Sequence, residues 1–293
     1  MANGIRYLIA ADGGGSGCRV AVARRGDGAV LAEAAGGPAN LARDFDGALA
    51  ALRAALDAAL AGAGLDRKAL GDAACHLALA GGNIGDLARR AAASVPAARV
   101  GADDERAAAA EGALGPRDGV VAALGTGSFL VRKAGGRLAS LGGWGLALGD
   151  EASGAWLGRA LAAHALRAHD GLEPGSPLTR ALVTEHGSPE ALAAWGLAAG
   201  PGAFAALAPR VVEAAEAGDP VAGDIMRAGA GYVVAGVEAL GAADGEALCL
   251  AGGLGPAYAL WLPPGLAARL VPPAGRTLDG ALALAARLAE AGP

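Results

Sequence analysis

The stretch of this chain best suited to holding a phosphate is Gly125-Thr126-Gly127-Ser128. Glycines admit positive φ and put no side chain between backbone N–H groups and an anion, while the two hydroxyls add donors. The same four residues would also close an ordinary β-hairpin. A similar stretch, Gly13 to Gly17, follows Asp12 near the N-terminus. A third reactive cluster is Asp103-Asp104-Glu105. Asp103 or Asp104 can cap the helix that follows. The alternative is a carboxylate at a strand end that accepts the proton of an attacking hydroxyl. Glu105 falls in the first helical turn, where an acid suits the helix dipole.

Both glycine-rich stretches sit in the same local pattern. Residues 7–11, 19–24 and 30–34 read as strands separated by Gly13–Gly17 and Gly26-Asp27-Gly28. Residues 120–124, 129–133 and 138–141 repeat that order around Gly125–Ser128 and Gly135-Gly136. Two copies in one chain point to a duplicated unit, and the two hairpins together could clamp one polyphosphate. Rival phosphate motifs fail. A P-loop needs Gly-Lys-Ser/Thr, yet the only lysines, Lys68 and Lys133, each precede Ala. A G-x-G-x-x-G fingerprint meets Cys18 or Val20 where its third glycine belongs.

The remaining elements follow from periodicity. Phe45, Leu49, Leu52, Leu56 and Leu60 make one apolar stripe on a helix ended by Gly62 and Gly64. A buried strand over 75–80 runs into Gly81-Gly82-Asn83, and a helix is predicted over 84–93. Strand ends of this kind are where open α/β sheets bind ligands. Asn40, in the loop Gly36–Asn40, serves either as a turn residue or as a polar ligand contact. Helices are predicted over about 151–169, 203–217 and 220–240, the last burying Val221, Ile225, Tyr232 and Val237. A strand over 246–251 meets Gly252-Gly253-Leu254-Gly255, a third glycine-rich strand end. An amphipathic helix over 279–291 closes the chain and is expected to pack on the first domain. The Gly115-Pro116 break sets the expected division, 1–115 and 116–293.

At 293 residues two domains are the default. Hydrophobic content of 54% is carried largely by Ala, so the core should consist of small, closely packed side chains. A net charge of −5 argues against nucleic acid or an anionic membrane as a main partner. Cys18, Cys75 and Cys249 are far apart and form no metal or disulfide framework. His164, His169 and His186 have no acid at ligand spacing and read as surface or core-edge residues. No secretory leader and no membrane span are expected, and a cytoplasmic location fits.

Asp12-Gly-Gly-Gly-Ser, Gly125-Thr-Gly-Ser, the block from Gly142 to Arg159 (GGWGLALGDEASGAWLGR) and Ala251-Gly-Gly occur in one order along almost the whole chain. In this the chain resembles the BadF/BadG/BcrA/BcrD ATPase family, and within it the N-acetylglucosamine and glucosamine kinases. The Gly142–Arg159 block is the most specific part. The resemblance implies an α/β fold of two related actin-like (ribonuclease H-like) domains closing over a nucleotide cleft. It implies ATP and Mg²⁺ as cofactors, with Asp12 holding Mg²⁺ through water and Gly14, Gly15 and Ser16 on the phosphates. Gly125, Thr126 and Gly127 become the second phosphate loop, and Gly252 and Gly253 the adenosine-side turn. Asn40, Gly81, Gly82, Ser128, Trp144 and Asp150 fall at the sugar, and Asp104, ahead of Asp103, at the catalytic base. The implied reaction is γ-phosphoryl transfer to an amino-sugar hydroxyl, O6 foremost; glucosamine and N-acetylglucosamine stay open. A homodimer is the expected state. Other members of the family energise dehydratases through a cysteine-held iron–sulfur cluster, and related sensors carry a helix-turn-helix. The dispersed cysteines and the early first strand disfavour both.

Overall fold

Apolar runs bounded by glycine turns become strands throughout this chain. A computed structural model describes residues 4–291. The chain divides into two units, one of residues up to Arg117 together with those from Pro273 on, the other Asp118–Pro272. The split thus falls two residues after the expected boundary, and residues 273–291 belong with the first unit rather than the second. Residues 292 and 293 of the expected C-terminal span lie outside the described residues.

The first unit carries β1 (Tyr7–Gly13), β2 (Cys18–Arg24), β3 (Val30–Gly36), α1 (Phe45–Gly62), β4 (Ala73–Leu79), α2 (Leu87–Ala93), β5 (Arg99–Asp103) and α3 (Glu105–Leu114). Its sheet runs β3-β2-β1-β4-β5, antiparallel through the first three strands and parallel from β1 onward. The α1 stripe buries Leu49, Leu52, Leu56 and Leu60 against Ile9, Val20, Val22, Leu77 and Leu79. Asp44 caps α1, accepting from Gly47 N–H.

The second unit repeats the pattern with β6 (Gly119–Leu124), β7 (Ser128–Ala134) and β8 (Arg137–Gly142). Then come α4 (Gly154–His169), α5 (Pro177–His186), α6 (Pro189–Ala198), α7 (Pro201–Ala205), α8 (Ala208–Glu216), α9 (Pro220–Ala239) and β9 (Ala247–Ala251). The short α10 (Pro264–Ala267) follows. Its sheet runs β8-β7-β6-β9. A single parallel bridge, Leu248 to Leu270, stands beside β9 where the first unit has β5. Tyr258 is fully buried in this unit's core, and burial pushes its hydroxyl well above the ordinary tyrosine range.

Three helix boundaries differ from the sequence reading. The helix expected from Ile84 starts at Leu87, after turns. The one expected from about Glu151 starts at Gly154, because Asp150 and Ala152 take positive φ and Ser153 caps it. The one expected over 203–217 breaks into α7 and α8, since Pro209 has no N–H to give to the preceding turn.

The C-terminal α11 (Thr277–Glu290) packs on α3 and on the sheet within the first unit. This face is built from small residues, Ala10, Ala21, Ala78, Ala108 and Ala281 with Leu278. A Cβ on Gly280 would overlap the Ala108 carbonyl oxygen, and one on Gly112 the Arg276 carbonyl oxygen. Gly280→Ala therefore forces the two helices apart and should cost about 1–3 kcal/mol, as overpacking of a tight contact does. Thermal unfolding of the variant beside wild type checks this.

Candidate active site

In the first unit the expected site residues gather at the carboxyl ends of β1, β4 and β5. The turn after β1 closes with Gly14 N–H donating to Gly17 O at 2.9 Å, leaving Gly15 and Ser16 exposed at its tip. Ala39 N–H donates to Gly14 O and Ala80 N–H to Gly13 O, which ties the neighbouring loops to this turn. Asp12 sits half-buried at the end of β1. Burial pushes its carboxyl up, while Arg19 and Arg276 pull it the other way. Asn40 is a turn residue: its side-chain oxygen accepts from Ala42 N–H at 3.1 Å and Arg43 N–H at 3.0 Å. The same oxygen lies 3.0 Å from where a Cβ on Gly81 would stand, so Asn40 and Gly81 are neighbours. A Cβ on Gly82 would sit 2.7 Å from Asp103 O, which joins this loop to the end of β5.

The acidic cluster resolves into distinct roles. The N-cap of α3 is Asp104, not Asp103: its Oδ1 accepts from Arg106 N–H at 3.0 Å. Its Oδ2 pairs with the Arg106 guanidinium. Asp103 instead faces His76 of β4, whose Nε2 lies 3.1 Å from Asp103 Oδ1. Sequence reasoning passed over His76, although a lone polar residue in the otherwise apolar, wholly buried strand Ala73–Leu79 was a usable signal.

In the second unit, Gly125 N–H donates to Gly127 O at 2.9 Å, so the second glycine turn also closes on itself, one residue tighter than the first. Gly154 and Ala155, at the start of α4, donate to Gly125 O and Thr126 O. Asp150 is buried beside this turn, with Gly145 N–H on its Oδ1 at 3.1 Å. Burial pushes its carboxyl up, and the Gly145 and Ser128 backbone N–H groups oppose that shift. Its φ of 59° places a non-glycine residue in the left-handed region, a strain of the kind functional sites retain. Ser128 is buried and gives its hydroxyl to Glu151 O. Trp144 is 68% exposed. Arg159 of α4 holds its loop through Leu146 O at 2.6 Å. Gly252, with φ of 82°, lies against β6: a Cβ there would overlap the Leu124 carbonyl oxygen, while Gly253 has open space around it.

His164 has an acid partner after all, Glu173 Oε2 at 2.7 Å. No group of three metal-ligating side chains occurs among the described residues. All three cysteines are buried. No helix among the described residues is long and apolar enough to cross a membrane.

Comparison with known proteins gives concordant results. The model of the BadF/BadG/BcrA/BcrD ATPase family matches residues 11–261. Glucosamine kinase GspK from Vibrio cholerae is 27% identical over 285 residues, 97% of each chain. The crystal structure of a protein assigned as an N-acetylglucosamine kinase from Chromobacterium violaceum is 40% identical. It covers 96% of this chain and 99% of its own, with a TM-score of 0.87. A second protein so assigned, from Porphyromonas gingivalis, shares the fold at 20% identity and a TM-score of 0.73, over 96% of this chain and 99% of its own.

Proposed function

Since the chain belongs to the BadF/BadG/BcrA/BcrD ATPase family, we propose that it is an ATP-dependent hexosamine kinase. The observation that carries this reading is the 40% identity, over 96% of the chain, to the Chromobacterium violaceum protein assigned as an N-acetylglucosamine kinase. The likeness to glucosamine kinase GspK agrees on the substrate class, an amino sugar. Phosphorylation at O6, use of Mg²⁺, a homodimeric state and a cytoplasmic location belong to the same proposal.

The chemistry follows from the residues. Gly14, Gly15 and Ser16, and likewise Gly125, Thr126 and Gly127, are each suited to ATP phosphates through backbone N–H groups and hydroxyls. Gly252 and Gly253 take the adenosine side, where the absence of side chains leaves the backbone approachable. Asn40, Gly81 and Gly82 of the first unit, and Ser128, Trp144 and Asp150 of the second, are the candidate sugar contacts. Asn40 has its amide N–H₂ to offer, since its oxygen is already used in the turn. Ser128 acts as an acceptor, its proton being committed to Glu151 O. Asp104, fixed by its own cap, takes the proton of the attacking hydroxyl. Asp12 fits a water-mediated hold on a cation: burial disfavours its charge, and its side chain accepts no hydrogen bond among the described residues. Mg²⁺ bound there would neutralise charge on the transferring phosphoryl oxygens.

A coupled ADP-release assay over glucosamine, N-acetylglucosamine, glucose and N-acetylmannosamine tests the reading. Turnover confined to one or both of the first two is expected, and ADP release independent of sugar would overturn it. Trp144 provides a second test. Covering its exposed indole with sugar should shift its emission to the blue, and Trp144→Phe should abolish that shift. An identical response in the variant removes Trp144 from the subsite.

A further inference from the structure

His76 and Asp103 form a polar pair on the sheet face that α11 covers, among Ala10, Ala74 and Ala78. In the parallel ladder His76 stands opposite Gly101, and Asp103 opposite Ala78. The pair is therefore a diagonal contact on one face of the sheet, closed by the length of the imidazole. Gly101 leaves the ring its room: a Cβ there would lie 3.1 Å from His76 Nδ1 and 2.7 Å from Leu288 of α11. The His76 side chain is 7% exposed and that of Asp103 43%. A carboxylate only accepts, so Nε2 carries the proton and donates to Oδ1. Oδ2 accepts no hydrogen bond among the described residues.

The direction in which Asp103 faces follows from register. Asp12 pairs with Ala78 and Ala78 with Asp103. Asp12 and Asp103 thus stand at one level and on one face of the sheet, with only the Ala78 methyl between them. Asp103 also precedes Asp104 directly, and its carbonyl abuts Gly82. The pair therefore stands at the strand ends that carry Asp12, Gly82 and Asp104.

We propose that Asp103 binds the sugar through the hydroxyl next to the phosphoryl-accepting one, and that His76 is the positioning residue that aims it. This inference rests on the kinase reading above. With acceptor O6, the neighbouring group is the C4 hydroxyl. A carboxylate with one oxygen anchored presents the other in a fixed direction, and so reads the configuration at that carbon. His76 makes that direction permanent, because a buried imidazole between β5 and α11 has nowhere to turn.

The test compares glucosamine and N-acetylglucosamine, each with its galacto epimer, on wild type, Asp103→Ala, His76→Leu and His76→Gln. Hydrogen bonds to charged groups are the stronger class, so Asp103→Ala should raise the sugar KM roughly tenfold or more. The ATP KM should stay unchanged, and the preference for gluco over galacto should collapse. His76→Leu should do the same, while His76→Gln, whose amide nitrogen can occupy the Nε2 position, should keep the preference. Asp103 lies at the sheet edge and its variant folds even if His76→Leu does not. An unchanged epimer preference in Asp103→Ala overturns the inference. So does a loss of kcat with the sugar KM intact, which would make Asp103 the base. If wild type phosphorylates none of the four sugars, the kinase reading falls, and this inference with it. Wild-type turnover together with an unmoved preference in Asp103→Ala sinks the inference alone.

Discussion

Asp104→Asn should lower kcat by about 10²–10⁴, the usual cost of losing a general base, while the sugar and ATP KM values stay near those of wild type. The substitution is clean because of what Asp104 does in the fold. Its Oδ1 caps α3, and Asn is as good a cap as Asp. The helix therefore keeps its start, while the ability to take a proton and the charge that pairs with Arg106 are removed. Arg106 loses one carboxylate oxygen as a partner, so thermal unfolding should be measured beside the kinetics. Asp104→Ala is the contrasting variant. It removes base and cap together and should add about 1 kcal/mol of lost stability. The cap assignment also changes what is expected of the neighbour. Asp103→Asn loses no cap, and its effect should fall on sugar KM through the oxygen that His76 leaves open. If Asp104→Asn keeps wild-type kcat and Asp103→Asn loses it, the base has been assigned one residue too far along.

Most of the sheet was legible because each strand is short, apolar and punctuated by glycine. The repeat was legible for the same reason, and the two glycine turns share the closure of a glycine N–H onto the last glycine carbonyl. What failed to show was whatever depends on residues distant in sequence. His76 means nothing alone; it gains a role only when β4 and β5 lie side by side and bring Asp103, 27 positions away, within 3.1 Å. The identity of the α3 cap could not be read either, because Asp103 and Asp104 are equally good capping residues. Backbone register alone separates them. Gly252 and Gly253 were read together as the adenosine-side turn; at Gly252 the chain's own Leu124 carbonyl is a further reason for glycine, while Gly253 has open space around it. The long helix expected over 203–217 ignored Pro209, a local signal that was there to be used.

Asp12→Asn should lower Mg²⁺-dependent turnover by about 10–100-fold, the range typical of losing a group that holds a metal at one remove, and should leave sugar binding intact. The same change should raise the melting temperature of the ligand-free protein at neutral pH. The sign comes from burial. Asp12's carboxyl is pushed above its ordinary value in the folded state, with desolvation outweighing Arg19 and Arg276. A carboxyl raised in this way contributes stability below its unfolded pKa, and that contribution is lost as pH rises through the folded value. At neutral pH the ionised Asp12 therefore opposes folding, and Asn, which carries no charge, does not. The stability advantage of the variant should shrink as pH falls into the carboxyl range, where wild-type Asp12 takes up its proton. Mg²⁺ with ADP should reverse the order, stabilising wild type more than the variant, because only the carboxylate gains a cation partner. Thermal unfolding across pH, with and without Mg²⁺–ADP, reads the three stability expectations, isothermal titration with glucosamine reads sugar binding, and the coupled ADP-release assay reads turnover. Sugar binding lost with turnover kept would move Asp12 from the phosphate side of the site to the sugar side. A variant less stable than wild type in the ligand-free state would mean that the carboxylate is needed by the fold, and that its buried charge was not kept for a cation.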